Sequence, residues 1–507
     1  MSSQQSCTIG VDMGTTNVKV IALDSSGREI ARATEHVPLE HAATGAAEQD
    51  PRVVYEMVTS TLVHVAQTAY QFGYTVRCVG VSAALHSMIP VAADGTPLMP
   101  ALIWMDTRAR NEAEALAATS MGKELYVRTG TPIHPMTPLA KLLWLRASQP
   151  HVLHAAYKFV SLKEWLWYQW FGEWVADESL ASATGLYNLR ERAWDAGAMA
   201  LAGIAREQLS PIVPATYSQR DIRDGRLRVA GITPDTVFVV GGGDGQLANL
   251  GVGAIDESAL VLTIGTSLAV RAGTHAPITD AATQMFCYVL AEDHYIVGGP
   301  SNSGGIVLEW LCGTLLGNRP ATPNDGGLAA LIQAAGAART DVLLCLPYIT
   351  GERAPLWRAE AKGVFWGLTL EDDAPRLMRA AIEGIVFNAR WIASGVFARL
   401  GVPARIVATG KVLEQPWVRQ LVADVFGLPV EFPGAVDASA LGAVAIANIA
   451  TGQERWEDVS RRRQYEAQQT WLAQPSPEQE RYQRKFARFQ RLATEVTTHL
   501  ASLYLET

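Results

Sequence analysis

The sequence predicts an α/β protein built from two large, similarly organised halves. Three observations carry this expectation. Stretches with strand character repeatedly give way to stretches with helical spacing of apolar residues. The 507 residues exceed what one hydrophobic core usually holds. One turn is also written twice. VDMGTTNVKV at residues 11–20 is answered by LTIGTSLAVR at residues 262–271, so Gly14, Thr15 and Thr16 correspond to Gly265, Thr266 and Ser267. The echo breaks at one position, which is Asp12 in the first copy and Thr263 in the second.

The elements follow in order. Residues 7–24 read as strand, glycine turn and strand. DSSG (Asp24–Gly27) reads as a hairpin turn, and Arg28–Leu39 as a third strand. Val54, Met57, Val58, Leu62 and Val65 recur at helical spacing across Pro51–Tyr70. VRCVGVSAA is a buried strand. RARNEAEALAATSM and HPMTPLAKLLWLRAS read as helices, the second with prolines at its entry. KFVSLKEWLWYQWF (158–171) is expected to be an apolar helix ending at Gly172, its Trp165, Trp167, Tyr168 and Trp170 packing in a core. In VFVVGGGDGQLANLG (237–251) a strand runs into a glycine cluster, the mark of a bend or of close backbone approach.

A second cycle opens with ALVLTIGTSLAVRAG. RLMRAAIEGIVFNARWIASGVFARL is a long amphipathic helix, and ARIVATG a strand ending in glycine. PWVRQLVADVFG is a helix with a glycine C-cap, and ASALGAVAIANIATG a small-residue helix suited to close packing. Residues 475–506 read as a charged amphipathic helix. The expected domains are 1–246 and 247–455, followed by a helical tail, 456–507.

Composition narrows the function. Lys plus Arg total 42 and Asp plus Glu 50, a net charge of −8 without a basic run. That excludes nucleic acid and acidic membranes as natural partners. No apolar stretch reaches the ~18–20 residues of a membrane span. The polar start MSSQQSC does not read as a signal peptide. Cys7, Cys78, Cys287, Cys312 and Cys345 form no C-x-x-C pair, and an odd count argues against a disulfide framework. They read as reduced, mostly buried thiols of a cytoplasmic protein.

The paired turns suggest chemistry. Backbone N–H groups in a tight glycine turn donate to phosphate without steric bulk. A carboxylate at Asp12, beside the first turn, would repel phosphate unless a cation such as Mg²⁺ intervened; otherwise it caps the turn's own amides. His86 follows one buried strand, and Trp104, Asp106 and Arg108 follow another. Such strand-end loops are where α/β proteins bind ligands. His86 and Asp106 suit hydroxyls. Arg108 suits a carboxylate, or else braces Asp106.

The series GVDMGTTNVKV, AAEQDP, VSAALHSM, IWMDTRA, SLKEWLWYQWFG, DESLASATGLYNL, GGGDGQLANLG, LTIGTS, PYITGERAPLW, ATGK with QPWVRQLVADVFGLPV, and SALGAVAIA resembles the FGGY carbohydrate kinases from about residue 8 to residue 452. These belong to the sugar kinase, actin and heat-shock chaperone ATPase superfamily. The resemblance implies two ribonuclease-H-like domains facing across a nucleotide cleft, with ATP and Mg²⁺ as cofactors. It implies that Asp244 is the general base, that Gln246 helps orient the sugar, and that Asp12 serves the metal. Gly14, Thr15 and Thr16 face Gly265, Thr266 and Ser267 across the phosphates, with Asn302, Gly304 and Gly305 as a further nucleotide-side loop. Gly410 and Lys411 stand where the family usually has two glycines. Gln415 stands where it often has serine, and Val418 where it has tryptophan, with Trp417 displaced by one. Lys411 either reaches phosphate or narrows the adenine pocket.

The segments around His86 and Trp104 look most like those of gluconate kinases. Xylulose kinases tend to carry S-G-Q-M-H-G where Ala83 and Ala84 precede His86 here. The expected activity is ATP-dependent phosphorylation of a sugar or sugar acid, with D-gluconate leading. A ketopentose or polyol kinase is the first alternative, a non-catalytic sugar-binding regulator the second, and a homodimer a possible assembly.

Overall fold

The computed structural model describes residues 5–40, 44–315, 317, 326–434, 437–459 and 470–498. The first half is built on β1 (Gln5–Met13), β2 (Asn17–Asp24), β3 (Glu29–His36), β4 (Tyr74–Ala83) and β5 (Ile232–Gly243). They lie in the order β5-β4-β1-β2-β3, with the short strand Ser218–Gln219 beyond β5. β1, β2 and β3 are antiparallel neighbours, while β4 runs parallel to β1 and to β5. β1 buries residues on both faces, Ile9 and Val11 on one and Thr8 and Gly10 on the other, because helices cover both sides of the sheet. One cover is α1 (Pro51–Gln71), started by Asp50, whose carboxylate caps the Arg52 N–H, with Pro51 in the first turn.

A short helix, α2 (Leu162–Phe171), buries Trp165, Trp167 and Trp170 in this core. The run from residue 158 is not all helix. Lys158–Val160 is a strand, and a Ser161–Glu164 capping box starts the helix after it. Likewise, the run from Arg108 forms two helices, Arg110–Ala117 and Ser120–Thr129, because Thr119 caps the second by accepting from the Gly122 N–H.

The chain leaves the first sheet through α3 (Asp244–Gly251). The second half repeats the plan with β6 (Ala259–Ile264), β7 (Leu268–Thr274), β8 (Phe286–Ala291), β9 (His294–Ser301), β10 (Arg405–Thr409) and β11 (Val430–Phe432). Its order is β8-β9-β7-β6-β10-β11, with β12 (Trp471–Ala473) at the far edge. In each half two antiparallel partners flank the opening strand on one side, and a parallel strand on the other. This is the ribonuclease-H-like plan that the resemblance implies. The register is repeated too: Asp12 sits opposite Ser82, and Thr263 opposite Thr409. Helices α4 (Ala374–Leu400) and α5 (Pro416–Phe426) belong to the second core.

Helix α6 (Ala438–Ala450) comes from the second half but packs on β1 and β4 of the first, and against α3. Its small residues permit this, and so do glycines beneath it. A Cβ at Gly10 would lie 2.1 Å from the Ala440 carbonyl oxygen, and one at Gly80 2.0 Å from that of Ala443.

A division after residue 246 would cut α3. The region expected as a separate tail instead adds β12 to the second sheet, and α7 (Gln479–Thr498) to its core. There Lys485 pairs with buried Glu383 at 2.6 Å, and Phe489 packs on Phe387. The expected helix positions 499–506 lie outside the described residues, as do 1–4 and 460–469. All five cysteines are buried, and none is in a disulfide. Among the described residues, no helix is long and apolar enough to cross a membrane.

Candidate active site

Between the halves lies a cavity of about 160 Å³, lined by His86, Trp104, Asp244 and Gln246 on one side and by Arg271, Tyr288 and Arg353 on the other. The glycine cluster shapes its floor. Gly241 has φ +67, and a Cβ there would stand 1.9 Å from the Val81 carbonyl oxygen, so the end of β5 is closely fitted to β4. Buried Lys163 holds the next carbonyl, that of Gly242, at 3.1 Å, and pairs with Asp177 at 2.9 Å. Asp244 sits at the first position of α3. Its carboxylate accepts from the Gly245 N–H at 2.7 Å. Burial raises its proton affinity, and Arg271 opposes that rise.

His86 occupies a left-handed conformation, φ +68, just after β4. Its Nδ1 lies 2.9 Å from the Ala183 carbonyl oxygen, which can only accept, so Nδ1 carries the proton and Nε2 keeps a lone pair. Burial, then the charge of Lys141, pushes the imidazole down to about 3, so it is neutral at ordinary pH. Lys141 donates to the His86 carbonyl at 2.5 Å and to that of Leu102 at 3.2 Å, pinning the turn. Gln246 donates to the Ser179 carbonyl at 3.0 Å, which leaves its Oε1 buried without a partner.

Three residues of this cavity carried no sequence expectation. Arg271 projects from β7 beside Asp244. The Tyr288 ring meets the His86 ring edge-on at 6.0 Å, and its hydroxyl has no partner. The Arg353 guanidinium lies 5.1 Å over the Trp104 ring and donates to the Ser301 carbonyl at 3.1 Å, while its Nε is unpartnered. Glu352 fixes this segment by accepting from Ser301, Asn302 and Ser303. The signal for Arg353 lay in the PYITGERAPLW run. For Arg271 and Tyr288 there was only a position on a strand.

Asp106 and Arg108 do not line the cavity, which corrects their expected role with substrate. Asp106 is buried and accepts from the Ala47 N–H at 3.1 Å and from Arg108 at 2.6 and 2.9 Å. Arg108 also reaches Glu48 and lies over Trp144. Of the two readings of Arg108, the structure shows the brace.

The two glycine turns close alike. The Gly14 N–H donates to the Asn17 carbonyl at 3.0 Å, and that of Gly265 to the Ser267 carbonyl at 2.9 Å. Thr16, Gly265 and Thr266 are exposed, whereas Thr15 is half-buried and its hydroxyl accepts from the Trp104 indole at 2.9 Å. The Gly305 N–H is spent on the Gly265 carbonyl at 2.7 Å, so Gly305 braces the second turn rather than offering its amide to phosphate. Asn302 is likewise held by Glu352. Gly410 (φ +126) ends β10, where a Cβ would lie 2.0 Å from the Ile264 carbonyl oxygen, and Lys411 is exposed beside it. Val418 is buried, and Trp417 donates to the Ile332 carbonyl at 3.1 Å with Arg379 over its ring.

Asp12 accepts from Ser82 at 3.0 Å, and its carboxyl is pushed up to about 7, first by burial and then by the charge of Asp244. Two acidic groups that repel each other beside a phosphate-sized turn, with hard oxygen donors, suit a divalent cation such as Mg²⁺.

Known proteins share this architecture. The FGGY family of carbohydrate kinases matches through its N-terminal domain over residues 7–251 and its C-terminal domain over residues 260–451. The chain is 36% identical over 451 residues to the gluconokinase of Bacillus subtilis (strain 168), covering 88% of each. Two solved structures from Lactobacillus acidophilus, one described as a gluconate kinase and one as a ligand-bound xylulose kinase, each match with a TM-score of 0.89 and 32% identity, over 97% of this chain and 99% of theirs. With both domains matched in order, this chain belongs to the FGGY family of carbohydrate kinases.

Proposed function

We propose that this carbohydrate kinase transfers the γ-phosphoryl group of ATP to a sugar acid, D-gluconate, giving 6-phosphogluconate. One observation carries the reading. His86, Gln246, Tyr288 and Arg353 line one cavity, and three of them carry a polar atom without a hydrogen-bond partner among the described residues: Gln246 Oε1, the Tyr288 hydroxyl and Arg353 Nε. Buried polar atoms are rarely left unpaired, so such a set fits a ligand carrying many hydroxyls. Two arginines against one aspartate leave that cavity one positive charge in excess, which fits a ligand carrying one carboxylate.

In this reading Asp244 takes the proton of the terminal hydroxyl as its oxygen attacks the γ-phosphorus. The bond to the β-phosphate oxygen breaks, ADP leaves, and the proton stays on Asp244. Burial of Asp244 suits it to hold that proton. The Gly14–Thr16 and Gly265–Ser267 turns face the phosphates from the two halves, and His86, Gln246 and Tyr288 orient the sugar. Asp12 would hold Mg²⁺, which supplies charge neutralisation for the phosphates. Closure of the halves excludes water from the transfer. The buried thiols fit a reducing, cytoplasmic setting.

A coupled ADP-release assay across gluconate, xylulose, ribulose and glycerol tests the proposal. Gluconate is expected to give the highest kcat/KM. A higher value for xylulose would make the chain a ketopentose kinase, the reading suggested by the second Lactobacillus structure. Measurable sugar binding without turnover on any of them would favour a regulator.

A further inference from the structure

Away from the cavity, the short turn between β8 and β9 brings Asp293 and His294 against His275, which directly follows β7. One ligand atom from each of the three lies within 4.8 Å of the other two. Asp293 Oδ1 stands 3.1 Å from His294 Nδ1, and Asp293 Oδ2 4.0 Å from His275 Nδ1. Ligand atoms bound at about 2.0–2.2 Å to a tetrahedral ion stand about 3.3–3.5 Å apart, so small side-chain movements would close the set on one ion.

A second observation points the same way. The His294 side chain is only 9% exposed, and among the described residues its Nδ1 meets the Asp293 carboxylate at 3.1 Å without the geometry of a hydrogen bond. A buried ring nitrogen set beside a carboxylate and a second imidazole suits metal ligation. Its ring plane is fixed by stacking on Trp456 at 4.5 Å and 19°.

We propose that His275, Asp293 and His294 form a binding site for a borderline divalent transition ion of the zinc class, separate from the carboxylates of the phosphoryl-transfer site. Two imidazoles and one carboxylate suit zinc, with water completing the shell, and do not suit Mg²⁺, which prefers six oxygen donors. The ion would pin the β8–β9 turn to the end of β7. This proposal does not depend on the identity of the sugar.

Competition of the full-length, tag-free protein against a chromogenic zinc chelator, in buffer containing Mg²⁺, tests it. One zinc per chain with micromolar affinity is expected. His275→Gln, at a half-exposed position that folding should tolerate, is expected to weaken binding at least about tenfold, and His294→Gln to do the same. Asp244→Asn is expected to leave zinc binding unchanged. No zinc uptake below about 1 mM, or uptake that persists when both histidines are replaced, overturns the site.

Discussion

The Trp104 indole N–H donates to the Thr15 hydroxyl at 2.9 Å, while the opposite half of the protein lays Arg353 over the same ring at 5.1 Å. One side chain thus joins the cavity, the first glycine turn and the second half. Trp104→Phe keeps the ring and removes the donor. We expect kcat/KM to fall about tenfold, or about 1.4 kcal/mol, with the KM for ATP raised. Steady-state kinetics with ATP varied would check this, and an unchanged KM for ATP would separate Trp104 from the phosphate turn.

Asp244→Asn removes the proposed proton acceptor and keeps its shape. Turnover should fall by roughly 10²–10⁴ while ATP still binds, measured by coupled assay and by calorimetry. Near-normal turnover would remove Asp244 from the proposed role.

Arg353 is expected to read the substrate's charge. Arg353→Met should raise the KM for gluconate at least about tenfold, with a smaller effect on a neutral ketose, since a charge-assisted bond contributes about 1.5–3 kcal/mol. Equal losses on both substrates would point to a structural role at the Trp104 stack.

Acid should act through His134, beside Arg353. Its Nδ1 accepts from the Met136 N–H, and burial holds its imidazole down at about 3. Below the unfolded value of 6.5 the unfolded chain binds a proton that the folded chain refuses, so this residue's contribution to stability falls as pH drops from 6.5 toward 3. His134→Gln keeps an acceptor and removes the titration. Chemical denaturation should show wild type losing stability relative to the variant across that window, and a pH-independent difference would refute the assignment.

Gly80→Ala tests the join between the halves. With a Cβ 2.0 Å from the Ala443 carbonyl oxygen, α6 must lift from the first sheet. A loss of about 1–3 kcal/mol or more is expected in thermal or denaturant unfolding.

Much of the fold was legible because it is written in local periodicity. The twin turns, the strand before Asp244 and the small-residue helix α6 all lie where their patterns put them. The misreadings were equally local. The strand Lys158–Val160 was hidden in an apolar run that only the Ser161 cap divides. The tail's β12 is three residues long, and it is a strand only because β11 offers it an edge.

By itself the sequence determined the two-fold plan, the pair of phosphate-type turns, the lone Asp12 and the carboxylate at the end of β5. Only the tertiary structure decided which charged groups are free to act. Arg108 looked available, but its partner Asp106 is two residues away and consumes it. Arg271 and Arg353 looked unremarkable, yet both line the cavity, and Arg353 Nε has no hydrogen-bond partner among the described residues. Whether a charge is satisfied depends on every group packed around it, and for residues brought together across 267 positions of chain, as His86 and Arg353 are, that packing exists only in the folded state.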